Sequence, residues 1–310
     1  MPSTKSVKQR IRSVRNTAQI TKAMEVVSAT KMRRSQESAL RARPYAVASL
    51  ELMKNLLQRT PKVPELFQPR EIASRCLVVV TSDKGLAGAF NANVLRKAEV
   101  WMKEQSMPFT VITVGKKAKE YMERRAAPIE KSFLGFGDYT QPEETKSIAD
   151  LIIGGFLNHT WDDVTVIYAN FRTTLLQETV VTSVLPTASE RIEEAIRGIL
   201  PDYGRFAEEG RTMKDGQRTP SNYNFEYKFE PSVNEILHIL VPQLVRIQLH
   251  HLILESNASE HSARMIAMKN ASQNAKELID DLTLSYNNMR QAGITRELTE
   301  ITAGKEALEG

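Results

Sequence analysis

The segment LVVVTSDKGLAGAFNANVL, residues 77–95, indicates the architecture of the middle of the chain. An apolar run typical of a strand leads into a polar turn, and a helix-like stretch begins at Phe90, after Gly85 and Gly88. A strand, a glycine-containing turn and a helix in this order hold a phosphate in dinucleotide-binding folds. The segment therefore predicts an α/β unit and raises the question of whether its loop binds a nucleotide.

The residues that follow this segment continue the alternation of strands and helices. Short apolar runs rich in β-branched residues alternate with stretches of helical composition, which predicts a parallel, Rossmann-like sheet of modest size. The segment QETVVTSVLP, residues 177–186, adds an edge strand. The other predicted strands are residues 76–80, 109–114 and 164–169, and the predicted helices are residues 93–105, 116–125 and 143–157.

A long helix is predicted at the N-terminal end of the chain. Residues 3–43 contain neither glycine nor proline, and apolar residues recur there at steps of four and three, the spacing of a coiled-coil seam. We expect Pro44 to kink this helix, which resumes as far as residue 58. The seam consists of Val7, Ile11, Val14 and Ala18, with Ile20, Met24 and Val27 on a neighbouring stripe.

A second long helix is predicted at the C-terminal end. Residues 243–292 contain neither glycine nor proline, and small or flexible residues alternate at steps of three and four for four heptads. A helix over residues 232–303 is roughly 105 Å long at a rise of 1.5 Å per residue, so part of it must project from any globular domain. The seam residues are Met265, Met268, Ser272, Ala275, Ile279, Leu282, Tyr286 and Met289.

The chain is therefore predicted to be an α/β protein in which a small Rossmann-like body is inserted between two helices that form a long antiparallel coiled coil. The predicted units are an N-terminal shaft helix (1–58), the body (59–231) and a C-terminal shaft helix (232–310). Within the body, a polar stretch with glycines and prolines at about 198–222 predicts a flexible segment.

Composition and charge narrow the class of protein. With 41% hydrophobic and 25% charged residues the chain is too apolar for a disordered protein. Its only cysteine, Cys76, excludes a disulfide within the chain and fits a reducing compartment. The basic N-terminus lacks the apolar core of a secretory signal, and no run of 18 apolar residues predicts a membrane-spanning helix.

The net charge of +5 is unevenly distributed. Residues 1–43 carry eleven Lys or Arg residues against Glu25 and Glu37, a net charge of +9, whereas residues 232–310 carry seven basic and ten acidic residues, a net charge of −3. Opposite charges favour pairing of the two end helices, and the basic end favours an acidic partner.

No candidate catalytic or ligand site matches a known template. The loop SDKGLAGAF lacks both G-x-G-x-x-G and the Walker A pattern, and the five histidines lack zinc-ligand spacing. The basic run at Lys31, Arg33 and Arg34 has no interleaved aromatic residues of the kind that stack on bases. The absence of a site template, together with the predicted coiled coil, favours an interaction protein. Two alternatives stay open: a nucleotide-binding α/β enzyme with a coiled-coil oligomerisation arm, or a basic coiled-coil nucleic-acid binder.

Four segments together resemble the γ subunits of F-type ATP synthases. They are ITKAMEVVSATKMRRSQ (20–36), SDKGLAGAFN (82–91), NASEHSARMIAMKNASQNA (257–275) and ITRELTEI (294–301). The resemblance implies a rotor without catalytic, cofactor or metal-binding residues, whose shaft turns in a hexamer of α and β subunits. It also implies that the ε subunit and the membrane-embedded c-ring bind the body, with no nucleic acid among the partners.

The resemblance further implies where the chain works and which residues touch the stator. The basic start already belongs to the matched helix, so we expect no cleaved leader and a peripheral position on the cytoplasmic side of a bacterial plasma membrane. Lys31, Arg33 and Arg34 resemble a basic patch that faces an acidic segment of β. The complete set of implied rotor–stator contacts is Met24, Lys31, Arg33, Arg34, Lys84, Ala87, Arg264, Arg290, Gln291 and Glu297.

Overall fold

The computed structural model describes residues 3–59, 64–136, 140–187 and 233–309. The predicted flexible segment at about 198–222 lies outside these residues. A single turn of 3₁₀-helix, Glu65–Phe67, precedes the sheet. The other elements are α1 Thr4–Arg59, β1 Arg75–Val80, α2 Phe90–Glu104, β2 Phe109–Val114, α3 Lys116–Arg124, β3 Ile129–Phe133, α4 Pro142–Leu157, β4 Asp163–Phe171, β5 Gln177–Leu185 and α5 Val233–Glu309.

The five strands form one sheet in the order β3-β2-β1-β4-β5. The first four are parallel, and β5 pairs antiparallel with β4. This arrangement confirms the predicted Rossmann-like sheet and its edge strand. The prediction missed β3, whose sequence IEKSF places exposed Glu130 and Lys131 on an edge strand. Charged residues protect such an edge from pairing with other chains, and they also hide the strand from a search for apolar runs.

Apolar layers cover both faces of the sheet. On one face, β1 residues Cys76, Val78 and Val80 belong to a core cluster that includes α4 and the first part of α5. On the other face, Leu77 and Val79 belong to a cluster with α2 and α3. Because successive strand residues point to opposite faces, each buried strand reads as a continuous apolar run.

The chain divides into two compact units, one made of residues 1–28 and 265–310 and the other of residues 29–264. These boundaries fall inside α1 and α5 rather than at the ends of the two helices. Residues 29–59 of α1 and 233–264 of α5 therefore belong to the same unit as the sheet. Val47, Leu237 and Leu244 show why, since these helix residues are buried in the core of the sheet unit.

The smaller unit has the predicted coiled-coil seam. Val7 is buried, and the predicted seam positions at residues 11, 14 and 18 are half-buried, while the residues between them are exposed. The neighbouring stripe differs from expectation, because Ile20 and Val27 are largely exposed. All predicted seam residues of α5 from Met265 to Met289 are buried or half-buried.

The two long helices bear on two of the sequence predictions. Pro44 lies inside α1, which is helical from Thr4 to Arg59, so the helix does resume after the proline as expected. By length and composition, α5 could also cross a membrane over Glu235–Lys305, and half of its most apolar window is buried inside the protein. A helix in a protein core has the same composition, so this property does not by itself indicate a membrane span.

Candidate functional site

The loop after β1 is held by hydrogen bonds of Ser82, at its start, with α2 and with the loop backbone. Ser82 accepts a hydrogen bond from the Asn91 side-chain amide at 2.8 Å, and the Ser82 hydroxyl lies 2.6 Å from the Lys84 carbonyl oxygen. The backbone reverses at Leu86 and Gly88, where φ is +63° and +55°. The turn therefore uses Gly88 as expected, but its other left-handed residue is Leu86 rather than Gly85.

This loop occupies the N-terminus of α3. The backbone N–H of Lys116 donates to Asp83 Oδ1 at 2.8 Å, and the N–H of Lys117 donates to the Ser82 carbonyl at 3.1 Å. The N–H of Ala118 donates to Thr81 Oγ1 at 2.8 Å. Free N–H groups at a helix N-terminus are what binds an anion. Here these N–H groups already donate to a carboxylate and to oxygens of the chain itself. Their hydrogen bonds are therefore not open to a phosphate, which opposes a phosphate site at this turn.

Gly115 allows the turn between β2 and α3 to approach the loop after β1 closely. Its φ is +92°, and a Cβ at this position would lie 2.2 Å from the Thr81 carbonyl oxygen. The segment TVGKK therefore needs its glycine for a close backbone approach, not for a phosphate.

The last helix crosses the edge of the sheet where a Rossmann fold binds its ligand. That place is the crevice beyond the carboxyl ends of the strands, between β1 and β4 where the strand order reverses. Arg264 of α5 donates to the carbonyl oxygens of Gly85 and Lys84 at 3.3 and 3.4 Å. Two residues earlier, the Ser262 hydroxyl donates to the Thr174 carbonyl in the β4–β5 turn at 2.7 Å. One helix thus joins the turns on both sides of the crevice.

Arg264 is itself fixed by neighbours on α5. Its Nη2 lies 2.6 Å from Glu260 Oε1, one helical turn away, and its Nη1 lies 3.4 Å from His261 Nδ1. Only 7% of the residue is exposed. The guanidinium therefore fastens the β1 loop to α5, and little of it is left for a contact with another subunit.

The two implied contact residues in the loop, Lys84 and Ala87, differ in their exposure. Lys84 is exposed, as a contact residue must be. Ala87 is only 2% exposed and packs in the core with α2, so it offers almost no surface for the rotor–stator contact that the resemblance implies. The turn at Leu86 points the next side chain inward, which the sequence alone did not reveal.

The basic run on α1 is accessible. Arg33 and Arg34 are exposed and Lys31 is half-buried. Arg33 forms an ion pair of 3.3 Å with Glu37, one turn along the same helix. Such an exposed pair contributes little to stability, so it does not prevent Arg33 from meeting an acidic partner.

In the coiled-coil unit, the implied contact residues also differ in their exposure. Met24 is half-buried, whereas Arg290, Gln291 and Glu297 are exposed. Every residue from 294 to 305 is exposed. These positions can meet a partner without any rearrangement of their own helix.

Sequence reasoning missed an ionic cluster at the amino ends of the strands. Arg70 Nε lies 2.6 Å from Asp162 Oδ1, and the Arg70 guanidinium lies 4.1 Å from the Phe156 ring. Burial raises the pKa of Asp162, but backbone hydrogen bonds from Ala73 and Ser74 and the charge of Arg70 outweigh it, so the pKa is lowered. The cluster joins the segment before β1 to the start of β4, which is a structural role.

Other perturbed groups in the described residues do not form a catalytic constellation. Burial raises the pKa of the Cys76 thiol and of the Tyr168 hydroxyl, so both stay protonated in the core. Burial also lowers the pKa of His250, which lies 3.1 Å from the Thr145 hydroxyl. Within the described part of the chain, no group of three or more His, Cys, Asp or Glu residues is placed to hold a metal ion.

Known proteins share both the sequence and the fold. A family model described as ATP synthase matches residues 3–308. The chain is 40% identical to the ATP synthase gamma chain of Roseiflexus castenholzii over 99% of both chains, and 36% identical to that of Moorella thermoacetica over the full length of both. Among solved structures, it resembles a chain of the Euglena gracilis mitochondrial ATP synthase OSCP/F1/c-ring structure, with a TM-score of 0.64, 16% identity and coverage of 98% of this chain and 94% of that one. It also resembles a chain of the Tetrahymena thermophila central stalk and c-ring structure, with a TM-score of 0.59, 23% identity and coverage of 82% and 99%. The chain belongs to the gamma-chain family of ATP synthases.

Proposed function

We propose that this chain is the rotor subunit of an ion-translocating ATP synthase and carries no catalytic centre of its own. The observation that carries the proposal is the position of α5, which joins the turns on both sides of the ligand crevice of the Rossmann-like sheet through Arg264 and Ser262. The loop that resembles a phosphate cradle is fastened to a helix of 77 residues.

The proposed mechanism is coupling by differential contact. The coiled-coil unit turns inside the hexamer of α and β subunits, while the body binds the ε subunit and the c-ring. Because the shaft is asymmetric, its exposed side chains meet a given β subunit differently at each angle, and these differences shift the populations of the β conformations. Ion flow through the c-ring thereby drives ATP synthesis on other subunits, or ATP hydrolysis drives the ions backwards.

The proposed stator contacts are the implied residues that remain accessible. Lys31, Arg33 and Arg34 offer positive charge to an acidic segment of β, and Lys84 offers another on the rigid β1 loop. In the coiled coil, Met24, Arg290, Gln291 and Glu297 supply adaptable and polar contacts. Arg264 acts within the chain, where it positions the loop that carries Lys84.

The proposed location is the cytoplasmic side of a bacterial plasma membrane, where the chain is peripheral and attached through the c-ring. Bacterial gamma chains are among its relatives of 36–40% identity. The apolar part of α5 is then a core helix rather than a membrane span.

Co-purification with tagged chain from gently solubilised membranes tests the rotor assignment. We expect the α, β and ε subunits to appear in one large complex that hydrolyses ATP. Recovery of the chain alone, with the same α and β subunits assembled elsewhere in the preparation, would contradict the proposal.

A truncation then tests the coiled-coil contacts. Removal of residues 291–310 should weaken assembly or ATP-driven ion pumping, and the body should unfold as before because these residues lie outside its unit. Unchanged coupling would count against contacts at Gln291 and Glu297.

The two alternatives make different predictions for the isolated chain. A nucleotide-binding enzyme predicts stoichiometric nucleotide binding in calorimetry, which the occupied N-terminus of α3 opposes. A nucleic-acid binder predicts DNA binding that weakens steeply as the salt concentration rises.

A further inference from the structure

A cavity of about 470 Å³ opens between the first turns of α4, the first part of α5 and Tyr45 of α1. We name it the α4–α5 cavity. All of its lining residues belong to the larger compact unit, so its shape does not depend on the coiled coil. Ile247, Pro142 and the Tyr45 ring supply apolar surface, and a few polar side chains share the lining. A pocket of this size and composition is typical of a site for a small organic ligand.

One lining residue, His250, has a hydrogen-bond acceptor that its neighbours define. Thr145 is 2% exposed, and its hydroxyl donates to the Pro142 carbonyl at 3.0 Å. The same Thr145 oxygen lies 3.1 Å from His250 Nδ1. Because a hydroxyl carries a single hydrogen, His250 Nδ1 is the donor in this contact. In the neutral imidazole the other ring nitrogen, Nε2, is therefore an acceptor.

Neither histidine of the cavity adds an unbalanced charge to the lining. Burial lowers the pKa of His250, and the charges of Glu143 and Glu144 oppose this effect without cancelling it, so the ring is neutral at neutral pH. The second histidine, His251, is buried and lies 3.6 Å from the equally buried Glu255. Any positive charge on His251 is thus balanced by this carboxylate.

The other charged residues of the cavity also balance. Glu143 and Lys146 of α4 contribute one charge of each sign. Arg246 of α5 pairs with Asp150 Oδ1 through Nε at 2.8 Å and Nη2 at 2.7 Å. The lining therefore has no excess charge that would attract an ion. A carboxylate or phosphate ligand would also bring only acceptors to the acceptor on His250.

We infer that the α4–α5 cavity binds a small, uncharged aromatic ligand that donates one hydrogen bond to His250 Nε2. The rings of the ligand pack on Ile247, Pro142 and Tyr45, where burial of apolar surface supplies most of the affinity. The hydrogen bond supplies the selectivity, because a ligand without a donor leaves the acceptor unpaired. The inference concerns the body alone and does not depend on the rotor assignment.

A matched pair of probes tests the inference on the full-length chain. 2-Phenylindole is uncharged and has one ring N–H, whereas 1-methyl-2-phenylindole has the same rings without the donor. Fluorescence anisotropy of the probe should show one-to-one binding of 2-phenylindole with a Kd on the order of 10 µM. The methylated compound should bind at least tenfold more weakly. Absence of saturable binding, or equal affinities for the two compounds, overturns the inference.

Two substitutions locate the bound probe. His250→Phe keeps a ring but removes the acceptor, so it should reduce the preference for 2-phenylindole to less than threefold. Gln243→Trp, at an exposed lining position, should obstruct the cavity and weaken both probes at least tenfold, with an unchanged melting temperature. The matched controls are His238→Phe and Gln273→Trp, at exposed positions of α5 outside the lining, and both should bind as the unmodified chain does. Undiminished binding to Gln243→Trp would place the probe elsewhere and contradict the inference even if His250→Phe failed to fold.

The assembled complex then decides between a ligand and a partner subunit as the occupant. Binding to the cavity is the difference between complexes that contain the unmodified chain and complexes that contain Gln243→Trp. The affinity from this difference should lie within threefold of that in the free chain. Loss of the difference would mean that another subunit covers the cavity, which overturns the inference of a small ligand and leaves the rotor assignment standing.

Discussion

The two compact units of the chain bury their side chains to very different degrees. In the body, the strands are enclosed between apolar layers on both faces. In the coiled-coil unit, the described side chains that are buried are Val7, Ser28, Met268 and Ser272. The same unit exposes Ile20, Val26, Val27, Ile294, Leu298 and Ile301.

This difference in burial indicates that the body is built for stability and the coiled coil for contact with partners. Burial of apolar surface is the main favourable term in folding, so the body supplies most of its own stability. The coiled coil keeps apolar surface exposed and has a seam of small and flexible residues, which suits a surface that must be covered by changing partners. Substitutions in the two units should therefore differ in their cost to stability.

Phe156→Ala should have the largest effect. The ring is fully buried in the body and packs under the Arg70 guanidinium, so its loss should lower the free energy of unfolding by about 3–5 kcal/mol. Urea unfolding followed by tryptophan fluorescence measures this, because Trp101 and Trp161 both lie in the body. Leu157→Ala, on the partly exposed neighbour, is the matched control and should cost much less; equal losses would contradict the idea of a self-sufficient core.

Arg264→Ala should have an intermediate effect. It removes the donor to two loop carbonyls and the ion pair with the largely buried Glu260, which should cost about 2 kcal/mol. Hydrogen exchange of the amides at residues 83–88 should accelerate roughly 30-fold if the loop opens with this free-energy change. Arg264→Lys keeps the positive charge but not the forked guanidinium. Its exchange rate should fall between those of the unmodified chain and Arg264→Ala. Unchanged exchange in Arg264→Ala would show that the loop is held by other contacts.

Leu282→Ala should have a smaller effect because this seam residue is only half-buried. We expect a loss of about 1 kcal/mol, visible in circular dichroism at 222 nm, with the tryptophan transition of the body unchanged. Leu284→Ala, on the exposed face of the same helix, is the control. A loss as large as that of Phe156→Ala would remove the contrast between the units.

Glu99→Gln should have the smallest effect, confined to acid pH. A hydrogen bond from Tyr121, followed by the hydrogen bond and charge of Lys103 and the charge of Arg125, lowers the pKa of Glu99. This contribution is present above the unfolded-state pKa of about 4.3 and is lost as the pH falls through the lower pKa of the folded state. The variant should therefore show a shallower fall in melting temperature between pH 6 and pH 3. Glu104→Gln on the same helix controls for charge removal, and equal slopes in both variants would contradict a specific network.

The coiled-coil seam was predictable because it depends on local periodicity. Met265 to Met289 recur at steps of three and four, and a helix places such residues on one side whatever they pack against. The strands of the parallel sheet were predictable for the same reason, since a strand covered on both faces must be apolar at every position. β3 escaped prediction because its exposed Glu130 and Lys131 belong to an edge, and an edge is a property of the whole sheet.

The site was less predictable because its contacts join distant parts of the chain. Arg264 and Gly85 are 179 residues apart, and no spacing rule relates them. Asp83 could be noticed as a polar residue after a strand, but not as the carboxylate that caps α3. Ala87 is implied as a contact by the family resemblance and is buried, because the left-handed turn at Leu86 decides which side chain faces the core.

Local sequence was enough to predict two long helices around an α/β body and a place among the gamma chains, because periodicity and motifs lie within neighbouring residues. The hydrogen bonds that hold the loop after β1 could be read only from the folded chain. They require α5 to lie across the carboxyl edge of the sheet and the oxygens of residues 81–83 to accept hydrogen bonds from the N–H groups of α3. Hydrogen bonds of this kind depend on positions in space that local sequence does not specify.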